Sequence, residues 1–302
     1  MKKIVQFLLS LVLVMTFASC SSENSKVPEN PSNNESTKKP IVQNNEPEKP
    51  AVIFEEITVV DNEFCTIKIT GINPDNLWGY TLNAYLENKS KDTTFMFSID
   101  GAAINGIQTQ PLFASEVAPN KKSNVEISFM DSTFSNYSAS DFTDIELSFR
   151  VYDSNDWAAD EVAEVKHNIY PLGQEKAIHY VRPSQPSDTV LVDNNQLTIV
   201  VTGYEIDDIW GYSANFYLVN KTDKEVMVSV DDVSVNGYMA DPFFATTIKP
   251  NKVQFSSMTW SDSVFEENSI SEVESIEMTL KVYDAKNWLD QDIFLETFTL
   301  NP

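Results

Sequence analysis

Two acidic stretches carry the residues best suited to chemistry, "YDSNDWAADE" from Tyr152 and "YDAKNWLDQD" from Tyr283. Calcium wants several hard oxygen ligands, carboxylates and carbonyls, gathered on a loop. The first stretch offers Asp153, Asn155, Asp156, Asp160 and Glu161, the second Asp284, Asn287, Asp290 and Asp292. Aligned with each other they keep oxygen ligands at Asp153/Asp284, Asp156/Asn287 and Glu161/Asp292, while Lys286 stands where the first has Asn155. Another cluster, Asp231, Asp232 and Asp241, becomes Asp100, Gly101 and Gln110 in the other copy. Asp and Asn in hairpin turns also bond their own backbone. Two readings therefore stand: a calcium site at Asp153, Asp156, Asp284 and Asn287, or plain turns. Aromatic residues raise a second chemistry, stacking on sugar rings. Trp78, Trp157, Trp210 and Trp288 fall beside strand ends, where the expectation is that they plug the open ends of a core. Tyr85 and Tyr217 fall on the polar face of an alternating run, so they are expected to be partly exposed and are the ligand-binding candidates.

Catalytic sets are missing. The two histidines are His167, which aligns with Phe298, and His179, which lies between the copies. A serine or cysteine nucleophile needs a base within reach, and neither copy supplies a matching pair. Nothing marks out a glycosidase-type carboxylate pair among the 45 acids. The expectation is a protein that is not an enzyme. Its formal net charge of -24 repels nucleic acid phosphate and anionic headgroups.

Cysteine carries a third chemistry. Lys2 and Lys3 precede a mainly apolar run from Ile4 to Phe17 that is too short to span a bilayer, and "FASC" ends it at Cys20. This resembles the lipobox of bacterial lipoprotein signal peptides, with Phe17 in place of the usual leucine. The resemblance implies a signal peptide over 1–19, cleavage before Cys20, and a diacylglyceryl thioether on its sulfur. It places the protein on the outer face of the bacterial cytoplasmic membrane, reaching into the wall. Two buried acyl chains hold where one does not. Cys65 is the other cysteine. A lipidated Cys20 leaves it without a disulfide partner, and it reads as a core hydrophobe. Residues 21–52 are rich in Asn, Ser, Glu, Lys and Pro, a composition that cannot offset chain entropy, so 20–52 reads as a disordered tether.

The sequence that holds these residues is doubled. Trp78, Gly79, Tyr80, Tyr85, Asn88 and Lys89 recur 132 residues on as Trp210, Gly211, Tyr212, Tyr217, Asn220 and Lys221. Met96, Pro119, Asn120, Tyr152 and Asp153 recur 131 residues on as Met227, Pro250, Asn251, Tyr283 and Asp284. The one-residue slip falls in "KSKDTT", where a hairpin loop absorbs it. A period this long means tandem domains rather than a solenoid, here 53–171 and 172–302. Apolar residues alternate with polar ones: Tyr80, Leu82, Ala84 and Leu86, then Ile145, Leu147, Phe149 and Val151. That is the strand period. Strands are also expected near 64–70, 95–99, 103–107, 124–130 and 161–169. "NG" at Asn105 and Asn236 signals tight turns, while "DSTFSNYS" and "DSVFEENS" predict single helical turns. About seven short strands per copy fit an all-β immunoglobulin-like sandwich; a small barrel is the alternative. The tandem "WGY…YLENKS…FSID…NG…APNKK…VYDSNDW" pattern resembles the telokin-like, immunoglobulin-fold repeat of Gram-positive surface lipoproteins. That resemblance covers about 57–302. It implies the sandwich fold and an extracellular lipoprotein, and it assigns no ligand or activity. The resulting expectation is a spacer or binding module for cell-wall glycan or protein partners, with carbohydrate binding or a calcium-stiffened stalk as alternatives.

Overall fold

The computed structural model describes residues 54–302, apart from Trp157 and 208–210. Cys20, the expected signal peptide over 1–19 and tether over 20–52, Trp157 and Trp210 lie outside the described residues. Almost every ordered element is a strand. The first copy contributes β1 (Ile57–Asp61), β2 (Cys65–Asn76), β3 (Gly79–Asn88), β4 (Phe95–Ile104), β5 (Ile107–Thr109), β6 (Ala114–Val117), β7 (Lys122–Phe129), β8 (Ile145–Asp153) and β9 (Ala163–Ile169). The second contributes β10 (Thr189–Asp193), β11 (Leu197–Asp207), β12 (Gly211–Asn220), β13 (Val226–Val235), β14 (Tyr238–Met239), β15 (Ala245–Ile248), β16 (Val253–Trp260), β17 (Ile276–Asp284) and β18 (Phe294–Leu300). A 3-10 turn at Ser132–Phe134 and a short helix α1 (Asp262–Glu267) occupy the two Asp-Ser stretches.

Alternation explains why these segments are strands. Ile145, Leu147, Phe149 and Val151 are buried to within 1% exposure, as are Ile276, Met278, Leu280 and Val282. The polar residues between them face outward. Period-two burial puts every apolar side chain of a strand on one side. In the first copy β1-β2-β3-β7 form one sheet, and β5-β4-β8-β9, with β6 on β4, lie opposite. In the second, β10-β11-β12-β16 oppose β14-β13-β17-β18, with β15 on β13. Each sandwich-like pair of sheets encloses a hydrophobic cluster, and that of the first copy also takes in Val200, Tyr217 and Val253 of the second.

Glycine and asparagine fix the corners. Gly79 and Gly211 of the doubled "WGY" have φ of +87° and +84°. A methyl on either would stand 2.2 Å from the carbonyl oxygen of Phe129 or Trp260. That close backbone approach admits only glycine, so the residue recurs for a steric reason. Asn105-Gly106 and Asn236-Gly237 all have positive φ, the backbone of a two-residue hairpin turn. Asn88 and Asn220, both fully buried, donate their amides to a loop carbonyl and a strand-end carbonyl, Thr93 and Val117 in one copy and Lys224 and Ile248 in the other.

The two halves share a sheet. β16 lies parallel to β5 with Val253 opposite Ile107, and the Val253 N–H donates to the Gly106 carbonyl at 2.9 Å. This makes β10-β11-β12-β16-β5-β4-β8-β9 continuous. The segment between the copies runs as a strap beside this seam. Its Tyr180 N–H donates to the Asn105 carbonyl at 2.7 Å, and its Ile178 N–H to Thr143 Oγ1 at 3.1 Å. Arg182 forks onto Asp188 at 2.7 and 2.9 Å and holds the strap's far end.

Candidate functional site

Tyr85 and Tyr217 stand at the same place in two copies, and the structure separates them. On the outer face of the first sheet, Lys68, Tyr85 and Asn124 lie in one cross-strand row, with Glu87 opposite Lys122 in the next. Tyr85 donates its hydroxyl to Glu87 at 2.9 Å, and the Lys122 ammonium sits 5.9 Å from its ring centroid. Tyr85 and Glu87 beside it hold the Lys122 pKa above its ordinary value. Lys68 pairs with Glu56 at 2.8 Å, and Lys89 with Asp61. The result is a shallow groove of about 530 Å³ lined almost entirely by polar groups. Tyr85 is half-buried there, as its place on the polar face suggested.

Tyr217 corrects the expectation of exposure. It is only 7% exposed and belongs to the cluster filling the first copy. Its row is Val200–Tyr217–Phe255, and the next is Val219–Val253. These apolar rows face the first copy and the strap. Phe255 makes ring contact with Tyr180 at 6.0 Å and with Tyr217 at 5.6 Å, while Tyr217 Oη accepts the Arg182 N–H at 3.4 Å. Alternation placed Tyr217 on the right side of its strand; what covers that side is the other half of the chain. The signal was present in the doubled sequence. Lys68, Glu87, Lys122 and Asn124 align with Val200, Val219, Val253 and Phe255, four polar-to-apolar changes on one face.

A cleft of about 580 Å³ opens where the halves meet. Lys252 reaches across to Glu146 at 2.9 Å and Lys249 to Asp100 at 3.3 Å, while Lys166 shares Glu146 at 2.7 Å. Gln108 spans the seam twice, donating to the Thr247 carbonyl at 2.8 Å and accepting the Lys249 N–H at 2.9 Å. Positive and negative groups here are matched across the seam, which fastens the junction.

The acidic turns spend their oxygens locally. Asp153 accepts the Asn155 N–H at 2.9 Å, and Asp156 the Ala158 N–H at 3.2 Å. Asp284 accepts the Lys286 and Asn287 N–H groups at 2.9 and 3.2 Å, the Asn287 amide at 3.2 Å, and the Lys224 ammonium at 3.0 Å. The Lys224 ammonium beside it, with these donors, pulls the Asp284 pKa down to about 2. Asp153 and Asp156 sit in one copy, Asp284 and Asn287 in the other, each group in its own turn. Among the described residues no group of three or more His, Cys, Asp or Glu is placed to hold a metal ion. The tryptophans also depart from expectation. Trp78 is 52% and Trp288 69% exposed; both sit in turns, and beside Trp78 it is Tyr80, stacked on Phe142 at 4.0 Å, that packs into the first core. Cys65 is fully buried, and burial pushes its thiol up to about 11, an inert core position.

Among the described residues no helix is long and apolar enough to cross a membrane. No protein-family model matches the chain, and no curated sequence matches it significantly. Among solved structures, the YadV chaperone is similar at 13% identity and a TM-score of 0.22, over 73% of this chain and 92% of its own. The CsuC–CsuE chaperone–tip adhesion subunit complex of Acinetobacter baumannii is similar at 11% identity and a TM-score of 0.22, over 72% and 90%. A protein of unknown function from Porphyromonas gingivalis W83 is similar at 10% and 0.19, over 75% and 90%. Likenesses this slight carry no argument about what the chain does.

Proposed function

We propose that this chain is a non-enzymatic, lipid-anchored bacterial surface protein. Two immunoglobulin-like sandwich domains, about 53–171 and 172–302, would form a stiff spacer or binding module for cell-wall glycan or protein partners. The observation that carries the reading is the junction. A shared sheet, an apolar face closed by Tyr180, and charge pairs across the seam restrain the hinge that would otherwise separate two domains. Inter-domain motion is the default where the interface is small and polar, and here its centre is apolar. Spin labels placed through cysteines at the exposed positions Lys91 and Glu267 report the distance between the halves. A single narrow distribution is expected, and a broad one would remove the stiff-spacer reading. The anchor is tested separately in cells: Cys20→Ala should release the protein from the membrane fraction, and retention would remove the lipid.

The Tyr85 groove supports a second reading, carbohydrate binding, because an accessible ring framed by carboxylate and ammonium groups suits a sugar. Tyr217 takes no part in it. Binding to purified cell-wall glycan that Tyr85→Ala leaves unchanged would rule out this groove as the site.

A further inference from the structure

Each copy turns at Asn-Gly into a short strand, β5 in the first and β14 in the second. In the first copy that strand is covered. β16 lies alongside it, and Gln108 satisfies backbone groups beyond it. The strap closes over the turn so tightly that a methyl on Gly106 would lie 2.3 Å from the His179 ring. In the second copy the same strand is the outermost of its sheet. Tyr238 and Met239, which replace Ile107 and Gln108, are 53% and 64% exposed, and nothing lies within 4 Å of a methyl built on Gly237. Strand edges left open are ordinarily guarded by being very short, or by Lys, Pro or a bulge. β14 is only two residues long, and both of those residues are large and apolar. Methionine adapts to varied apolar surfaces, and tyrosine is enriched where proteins meet.

We infer that the β14 edge is a docking surface for a β-sandwich of another protein, one presenting an apolar outer sheet face of the kind the second copy presents to the first. The inference rests on the stiff two-domain reading and extends it by naming the partner's chemistry. The junction shows what such an edge accepts: a parallel strand carrying rows like Val200–Tyr217–Phe255 and Val219–Val253. A second copy of this chain does not fit. Its free outer face has Lys68, Glu87, Lys122 and Asn124 at those places, and covering it would desolvate the Lys122–Glu87 and Lys68–Glu56 pairs. The first copy therefore works as a closed end, in the way terminal repeats of stacked proteins carry a polar outer face, and the second as an open one.

A probe chain tests this against the wild-type protein. The probe carries Lys68→Val, Glu87→Val, Lys122→Val and Asn124→Phe, which give it the partner's face. It also carries Tyr238→Lys and Met239→Lys, which stop it stacking on itself. Sedimentation velocity of the mixture should show a 1:1 complex, weakened about tenfold or more when the wild-type partner also carries Tyr238→Lys and Met239→Lys. No complex, or one indifferent to those edge changes, overturns the inference. Should the probe fail to fold, the wild-type chain extended after Pro302 by its own residues 172–302 takes its place. Amide hydrogen exchange at Tyr238 and Met239 should then slow about tenfold or more, and unchanged exchange overturns the inference. Neither result depends on the spin-label distance within the wild-type chain, so failure here leaves the spacer reading standing.

Discussion

The outer faces of β1-β2-β3-β7 and β10-β11-β12-β16 are the same strands in the same register, and one is wet while the other is dry. Lys68–Tyr85–Asn124 on the first corresponds row for row to Val200–Tyr217–Phe255 on the second. The ion pair Glu87–Lys122 at 3.5 Å corresponds to Val219–Val253. Each valine or phenylalanine withdrawn from water stabilises by about 1.5–3 kcal/mol, whereas a lysine at the same place would have to be stripped of its solvation. Of the residues in these rows only the tyrosine is common to both faces, because its ring tolerates burial and its hydroxyl finds a partner either way. That partner is a carboxylate in one copy and a backbone N–H in the other. The fold of a copy thus does not decide whether its face is an interface. Four positions do.

The sharpest way to break this comparison is to exchange residues across it. Val253 is 1% exposed at the seam, and Val253→Lys installs the residue that the first copy has there. A charge without a partner in the junction should lower stability by about 3 kcal/mol. In a denaturant titration the two halves should then unfold in separate steps, and the spin-label distance should broaden. The reverse exchange, Lys122→Val on the open face, should stay within about 0.5 kcal/mol of the parent. Equal effects from the two would show that the faces do not differ as argued.

The shared tyrosine sharpens it next. Tyr217→Ala empties a packed site between Phe255, Val200 and the strap, and should cost about 3 kcal/mol. Tyr85→Ala removes a half-exposed ring and one hydroxyl bond, and should cost less than about 1 kcal/mol. Thermal melts of the two single variants give the ratio directly.

This contrast also marks how far the sequence alone could reach. Strand period, the Asn-Gly turns and the buried side of β8 and β17 are local properties. Alternation carries them without reference to anything distant, and the all-β sandwich-like architecture follows from them. Gly79 was recognisable as repeated, but its reason, the approach of the Phe129 carbonyl, lies fifty positions away in the chain. The burial of Tyr217 was readable only by setting the two copies side by side and noticing that its neighbours turned apolar. Trp78 and Trp288 misled because residue type suggests burial while loop position decides it. The acidic turns were ambiguous for a related reason: a run of Asp and Asn looks the same whether its oxygens face a cation or their own N–H groups.

The turns supply the smallest difference between the copies and a test with a definite sign. Asp284 faces Lys224, whereas the residue aligned with Lys224 in the first copy is Thr93. The ordinary value of such a carboxyl is 3.8, and the folded protein holds Asp284 at about 2, with Lys224 the largest cause. A carboxyl whose pKa is lowered by folding stabilises the native state fully above its unfolded value. That contribution fades as pH falls from about 4 towards 2. Lys224→Thr, which gives the second copy the first copy's residue, should move the Asp284 midpoint upward in a carboxyl-resolved NMR titration. It should still stop short of the ordinary value, because the Lys286 and Asn287 donors remain. The variant should be less stable than the parent above about pH 4, and the gap should close as pH falls towards 2, where the parent loses the same contribution. A midpoint unmoved by the substitution would mean that the turn's own N–H groups hold the carboxylate unaided, and that the two acidic turns are equivalent after all.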